Sequence, residues 1–212
     1  MARVLSICVG AVVRAPWIAH GRTAIDKRPV AGPVRASELG LEGDDQANKK
    51  FHGGIDQAVY AYDRADLDWW AAELGRELAD GIFGENLTTT DVDLTAVVIG
   101  ERWRIGSATF EVSVPRIPCL TFQRHLGEDD WIKRFTAAVR PGLYLRVTAG
   151  GTLSAGDPIV RLDTPTHGIT VGETFRAMST ERELLPRMLS APQLPAEVHD
   201  RARAYLRRGA GS

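Results

Sequence analysis

The stretch from Phe110 to Cys119 constrains this chain most. Apolar and polar residues alternate from Phe110 through Val114, the two-residue period of a half-buried strand, and Pro115 and Pro118 then each remove a backbone N–H and end the sheet ladder. Upstream, Val97 to Ile105 and Ala108 to Val114 flank Gly106-Ser107, the short connection of a β-hairpin. An antiparallel sheet has to form here, and it delivers Arg116 and Cys119 to its end. A strand end fixes geometry and leaves an approach open, so a thiol there, close to a permanent positive charge, suits a reactive or ligating role. A buried structural cysteine fits the same local pattern.

The remaining chain repeats short β signals. Arg3 to Val9 alternates and predicts the first strand, with Cys8 inside it as a core residue. Gly10 to Gly21 breaks the pattern, and Thr23-Ala24-Ile25 resumes it before Asp26-Lys27-Arg28-Pro29. Two adjacent cations at a strand end suit an anionic ligand, or an edge guarded against aggregation. Ala58 to Tyr62 predicts a strand, and Asp63 caps a helix that runs to Leu74 and stops at Gly75, with Leu67, Trp70, Ala71 and Leu74 on one face. A second helix is expected from Asp129 to Val139, with acids at its front. Short strands at 143–147, 150–153 and 158–162, separated by glycine turns, have the spacing of a compact barrel or sandwich.

This reading gives a mainly β unit over residues 1–163 and a helical appendage over 164–212. In the appendage, Pro186, Pro192 and Pro195 divide a helical pattern into three short helices. Their apolar residues Leu184, Leu185, Met188, Leu189 and Leu194 must pack on something else to be stable at that size. A formal net charge of -1 provides no general field for nucleic acid or an anionic membrane, so a small-molecule partner is expected. Cys8 and Cys119 make no disulfide framework. No apolar run is long enough for a signal peptide or a spanning helix, which predicts a cytoplasmic protein.

Two further stretches bear polar groups on glycine-rich backbone. In Lys49-Lys50-Phe51-His52-Gly53-Gly54-Ile55-Asp56, paired glycines let a ligand approach the main chain, flanked by an acid/base imidazole and a carboxylate. The spacing matches no zinc set, and a glycine turn with polar rims fits it too. In Ile82-Phe83-Gly84-Glu85-Asn86-Leu87, a glycine before two polar residues marks a bend that points a carboxylate and an amide into a cavity, or a plain hairpin connection.

Taken in order, Lys27, Gly43-Asp44, His52-Gly53-Gly54-Ile55-Asp56, Phe83-Gly84-Glu85-Asn86-Leu87 and Pro115-Arg116-Ile117-Pro118-Cys119 resemble the MOSC domain, the molybdenum cofactor sulfurase C-terminal domain. With the trailing helices, the chain is most similar to the stand-alone bacterial members associated with resistance to 6-N-hydroxylaminopurine. The resemblance implies a MOSC-type β-barrel with a few helices and a pocket for the molybdenum cofactor, molybdopterin with its metal. It implies Cys119 as metal ligand or sulfur carrier, and Lys27 and Arg116 as phosphate anchors. It implies His52, Gly53, Gly54, Asp56 and Asn86 along the pterin, Asp44 and Glu85 among the binding motifs, and His52 and Asp56 as proton sources. The implied activity is reduction of N-hydroxylated bases or amines with electrons from a partner protein, since no flavin, haem or iron–sulfur signature is present. The alternative is a sulfur carrier or cofactor-handling protein with a persulfide on Cys119. A homodimer through the helical tail is compatible with either.

Overall fold

The computed structural model describes residues 1–18, 21–45 and 54–209. Its strands are β1 (Arg3–Val9), β2 (Val13–Arg14), β3 (Arg22–Thr23), β4 (Arg28–Pro29), β5 (Val34–Ser37), β6 (Gly40–Leu41), β7 (Val59–Asp63), β8 (Leu87–Thr90), β9 (Arg102–Ile105), β10 (Ala108–Pro115), β11 (Leu143–Ala149), β12 (Gly151–Leu153) and β13 (Ile159–Asp163). The α-helices are α1 (Arg64–Leu74), α2 (Leu120–Leu126), α3 (Trp131–Ala138), α4 (Val171–Ser179) and α5 (Ala196–Gly209), and a 3-10 segment, Arg182–Ser190, lies between α4 and α5.

Eight strands form one sheet in the order β13-β9-β10-β11-β7-β8-β1-β4. Every pairing is antiparallel except β7 with β8, which α1 joins as a crossover. The expected mainly β architecture is present, but the barrel is not regularly closed. The sheet curls until the start of β1 meets the turn before β13, through Val4 N–H to Asp157 (3.0 Å), Gly156 N–H to the Val4 carbonyl (2.8 Å) and Ile159 N–H to Ala2 (2.9 Å). Glycine and aspartate at this seam favour a turn over a full ladder, so closure is irregular. The hairpin at Gly106-Ser107 forms as the sequence predicts, with Ala108 opposite Ile105. β5 pairs with β12 on one side and with β6 on the other in a small second sheet.

Alternation along β10 buries Ala108, Phe110, Val112 and Val114 against Trp103, Ile105, Leu143 and Leu145, the centre of the main core. A second core is aromatic and lies beneath the loop after β10: Tyr62, Trp70, Phe83, Phe122, Trp131 and Phe135, with Trp70 and Trp131 centred 4.5 Å apart and Phe83 and Phe122 5.1 Å. Asp63 caps α1 by accepting the Ala65 N–H at 3.0 Å, and Gly75 ends it at φ 64°, as the sequence predicts. The acidic front of α3 does not cap it through a side chain; Asp130 occupies the cap position at φ 58° without such a bond.

The helical tail docks on its own sheet. Val171, Ala177, Leu185, Met188, Leu194, Val198 and Ala202 belong to the same buried cluster as the strands. Val171 N–H donates to Val97 (2.8 Å) and Ile99 N–H to Ile169 (2.9 Å). Arg146 of β11 clasps the edge: it donates to Asp56 at 2.5 Å, to Glu111 at 2.7 Å and to the Gln193 carbonyl at 2.8 Å. Arg146→Ala strands two carboxylates at once and is expected to lower stability by about 2 kcal/mol in urea titrations. It should also expose the segment around Gln193 to limited proteolysis.

Candidate functional site

Cys119 does not sit at the strand end itself. β10 closes at Pro115, and Cys119 is the N-cap residue of α2, extended at φ -135° and ψ 168°, with its carbonyl accepting the Gln123 N–H at 3.1 Å. α2 is not legible in the sequence because Pro118 signals an ending, whereas a proline ahead of an N-cap removes no helical hydrogen bond. The thiol is half-buried and packs on the aromatic core, between exposed Ile117 and Leu120.

Arg116 lies next to it and is buried, only 7% exposed. Its Nη1 donates to the Phe83 carbonyl at 2.6 Å, and its guanidinium packs 4.2 Å from the Phe122 ring centre and 4.8 Å from that of Tyr60. Among the described residues it forms no ion pair with a carboxylate. Burial opposes its charge, and the phenols of Tyr144 and Tyr60 and the Cys119 thiol act the other way. Such a guanidinium is a ready anchor for an anion.

A second cluster joins the loops around this point. Asp44 is ion-paired with the buried Lys27, accepts the Gly10 N–H at 2.9 Å, and accepts the Asn86 amide at 2.9 Å. Asn86 also donates to the Cys8 carbonyl at 3.2 Å and accepts the Tyr60 N–H at 3.1 Å, so one side chain ties β7, β1 and the Asp44 loop together. Burial lowers the Lys27 pKa, and Asp44 works against that. The approach is close enough to require glycine: a Cβ on Gly81 would stand 2.5 Å from the Lys27 carbonyl, and one on Gly10 2.8 Å from that of Ala24.

Glu85 is fully buried and faces its own turn, accepting N–H groups from Gly81 (2.6 Å) and Phe83 (2.9 Å) and the Thr88 hydroxyl (3.2 Å). The Asp56 carboxylate is engaged by Arg146, toward the helical tail. Gly54 caps a 3-10 turn at φ 81° and ψ 177°, a positive-φ conformation that glycine adopts without strain. His52 and Gly53 lie outside the described residues. Cys8 is core, its thiol pushed up to about 12 by burial first and then by Glu85 and Asp80. The structure therefore brings Lys27, Asp44 and Asn86 into one network and Arg116 beside Cys119. Tyr60, Tyr144 and Phe122 around Arg116 escaped the sequence reading, since aromatic residues in strands and helices carry no local sign that they enclose a cation.

A family model described as the MOSC domain matches residues 48–160. Protein YiiM of Escherichia coli (strain K12) is 35% identical over 178 residues, covering 81% of this chain and 79% of that protein. The crystal structure of YiiM from Geobacillus stearothermophilus superposes with a TM-score of 0.81 at 25% identity, covering 96% of this chain and 98% of that one. A protein named "Reductase" from Gibberella moniliformis (strain M3125 / FGSC 7600) is 33% identical over 177 residues, which are 82% of this chain and 31% of that longer protein. The chain belongs to the MOSC domain family. Among the described residues no helix is long and apolar enough to cross a membrane.

Proposed function

We propose that this chain binds the molybdenum cofactor through Cys119 and Arg116 and reduces N-hydroxylated bases or amines. The observation that carries this reading is the buried Arg116, without a carboxylate partner among the described residues, beside a half-buried thiol. That donor set fits the group: a soft thiolate suits molybdenum, and a desolvated guanidinium suits a phosphate. Lys27 is committed to Asp44, so its part is to hold the surrounding loops and add positive charge from behind. His52, Gly53, Gly54 and Asn86 are the proposed pterin neighbours, and His52 and Asp56 the proposed proton sources.

The reaction takes R–NHOH, two electrons and two protons to R–NH2 and water, breaking the N–O bond. When bound, the cofactor supplies the redox couple for that exchange. Electrons come from a partner protein; the longer Gibberella relative named "Reductase" supports a reductive role. The chain's own residues fix the thiol on α2, exclude water through the aromatic core, and hold the anionic end of the ligand at Arg116.

A second reading is a sulfur carrier, favoured by a thiol that is approachable between exposed Ile117 and Leu120. One experiment separates the two. Protein purified from a molybdenum-replete host should contain stoichiometric molybdenum and pterin and reduce 6-N-hydroxylaminopurine with viologen as electron donor. Cys119→Ser should lose both metal and turnover. Full turnover in the serine variant would overturn the proposal, and a persulfide on Cys119 without any turnover would select the carrier.

A further inference from the structure

The helical tail encloses a hollow of about 210 Å³ between α4, the 3-10 segment and α5, and none of its lining residues belongs to the Cys119 site. Its floor is apolar: Ala177 of α4 and Leu185 of the 3-10 segment are both buried. One wall is α5, where Arg201, Ala204, Tyr205 and Arg208 recur at helical spacing and share a face. That face borders the stripe through Val198 and Ala202 by which α5 packs into the main core, so the hollow is set in fixed structure. Ala177 and Ala204 stand where larger side chains would fill it.

The charge of the hollow is one-sided. Arg182, Arg201 and Arg208 line it, and among the described residues no aspartate or glutamate does. Carboxylates are not scarce in the tail, but they are matched elsewhere: Glu173 with Arg187 (2.6 Å), Glu181 with Arg176 (3.7 Å) and Asp200 with Arg203 (3.1 Å). Arg201 meets Glu197 at 2.7 Å along the exposed surface of α5, a pairing that contributes little in water. Arg182 forms no ion pair among the described residues. A cation in the last turn of a helix is ordinary, which accounts for Arg208 by itself. Arg182 and Arg201 come from different elements, and no carboxylate lining the hollow draws them together. A guanidinium donates in a fixed fork that suits oxyanions, and two of them over an apolar floor, beside the exposed ring of Tyr205, suit a molecule anionic at one end and flat and apolar at the other.

We infer that the tail hollow binds a small aromatic oxyanion, its carboxylate or phosphate held by Arg182 and Arg201 and its ring laid over Ala177 and Leu185 against Tyr205. The volume, about 210 Å³, is below that of a usual cofactor pocket and restricts the body to one or two fused rings. The site shares no residue with the molybdenum reading and stands or falls apart from it.

Titration of the full chain with 1-naphthylacetate, followed by amide chemical shifts, tests this. Saturable shifts should centre on Ala177, Leu185, Ala204 and Tyr205. The neutral analogue 2-(1-naphthyl)ethanol should bind about ten-fold more weakly, and naphthylacetate should lose about as much on Arg182→Gln or Arg201→Gln, since each change removes a charge-assisted contact. A parallel titration with 1-naphthyl phosphate tells the two head groups apart, and tighter binding of either one supports the site. Ala204→Phe fills the hollow with every charge kept and should abolish binding, with circular dichroism confirming the fold of each variant. Equal affinity for the acid and the alcohol, or binding unchanged in the Arg182→Gln/Arg201→Gln double variant, overturns the assignment. So does the absence of saturable shifts with both anions up to about 5 mM.

Discussion

Arg116→Met should leave the protein within about 1 kcal/mol of wild-type stability while weakening retention of the proposed molybdenum cofactor by about 100-fold. The two halves follow from different facts. Truncating a buried cation is severe when a buried carboxylate is left behind, and among the described residues no carboxylate pairs with Arg116. The substitution removes a desolvation penalty and two ring contacts and leaves the Phe83 carbonyl without its donor at 2.6 Å. Those effects oppose one another and are each of the order of 1–3 kcal/mol. Methionine can refill the slot between Tyr60 and Phe122, since an unbranched thioether adapts to aromatic walls. The ligand loses its charge-assisted anchor with nothing to replace it. Urea titration of apoprotein and molybdenum content after dialysis check the two parts separately. A collapse in stability would instead make Arg116 a structural keystone of the aromatic core.

That contrast also shows what the sequence disclosed. The strand from Arg3 to Val9, the Asp63 cap with its Gly75 stop, and the Gly106-Ser107 hairpin were legible because periodicity and turn chemistry act locally. The β5 and β6 pair was not, because its partner β12 lies more than a hundred residues away and short strands gain their identity only from that partner. The seam that leaves the barrel irregular is likewise a long-range matter, joining residues 2–4 to 156–159.

The candidate site divides the same way. Motif order brought Lys27, Asp44, Asn86, Arg116 and Cys119 into view, and the structure groups the first three into one bonded network. Direction of side chains was beyond the sequence. The Glu85 stretch reads in sequence as lining a cavity or as a plain connection, and its carboxyl binds the N–H groups of its own turn, while Asp56 turns toward Arg146. Glycine spacing signals that the backbone comes close to something, and here that something is the protein itself: the Lys27 carbonyl at Gly81, and Ile25 at Gly84.

Glu85 provides the second large effect, read in stability against pH. Burial raises its carboxyl from 4.5 to about 7, against the lowering influence of the Gly81 and Phe83 N–H groups and the Thr88 hydroxyl. A folded-state pKa above the unfolded one means the folded chain keeps a proton that the unfolded chain has already lost. The stabilisation is therefore complete below pH 4.5 and is lost as pH rises through about 7, amounting to about 3 kcal/mol across that window. Glu85→Gln cannot titrate, so the stability difference between wild type and variant should shrink by about that amount from pH 4.5 to 7.5. Chemical denaturation of both proteins at matched pH values measures it, and a difference that stays constant would mean that Glu85 is ionised throughout. The same proton bears on the site, because a carboxyl protonated near neutrality does not act as a fixed counter-ion for Arg116. Keeping Glu85 neutral in the fold leaves the guanidinium available to an external anion, so retention of the proposed cofactor should weaken above pH 7 in wild type and lose that dependence in Glu85→Gln.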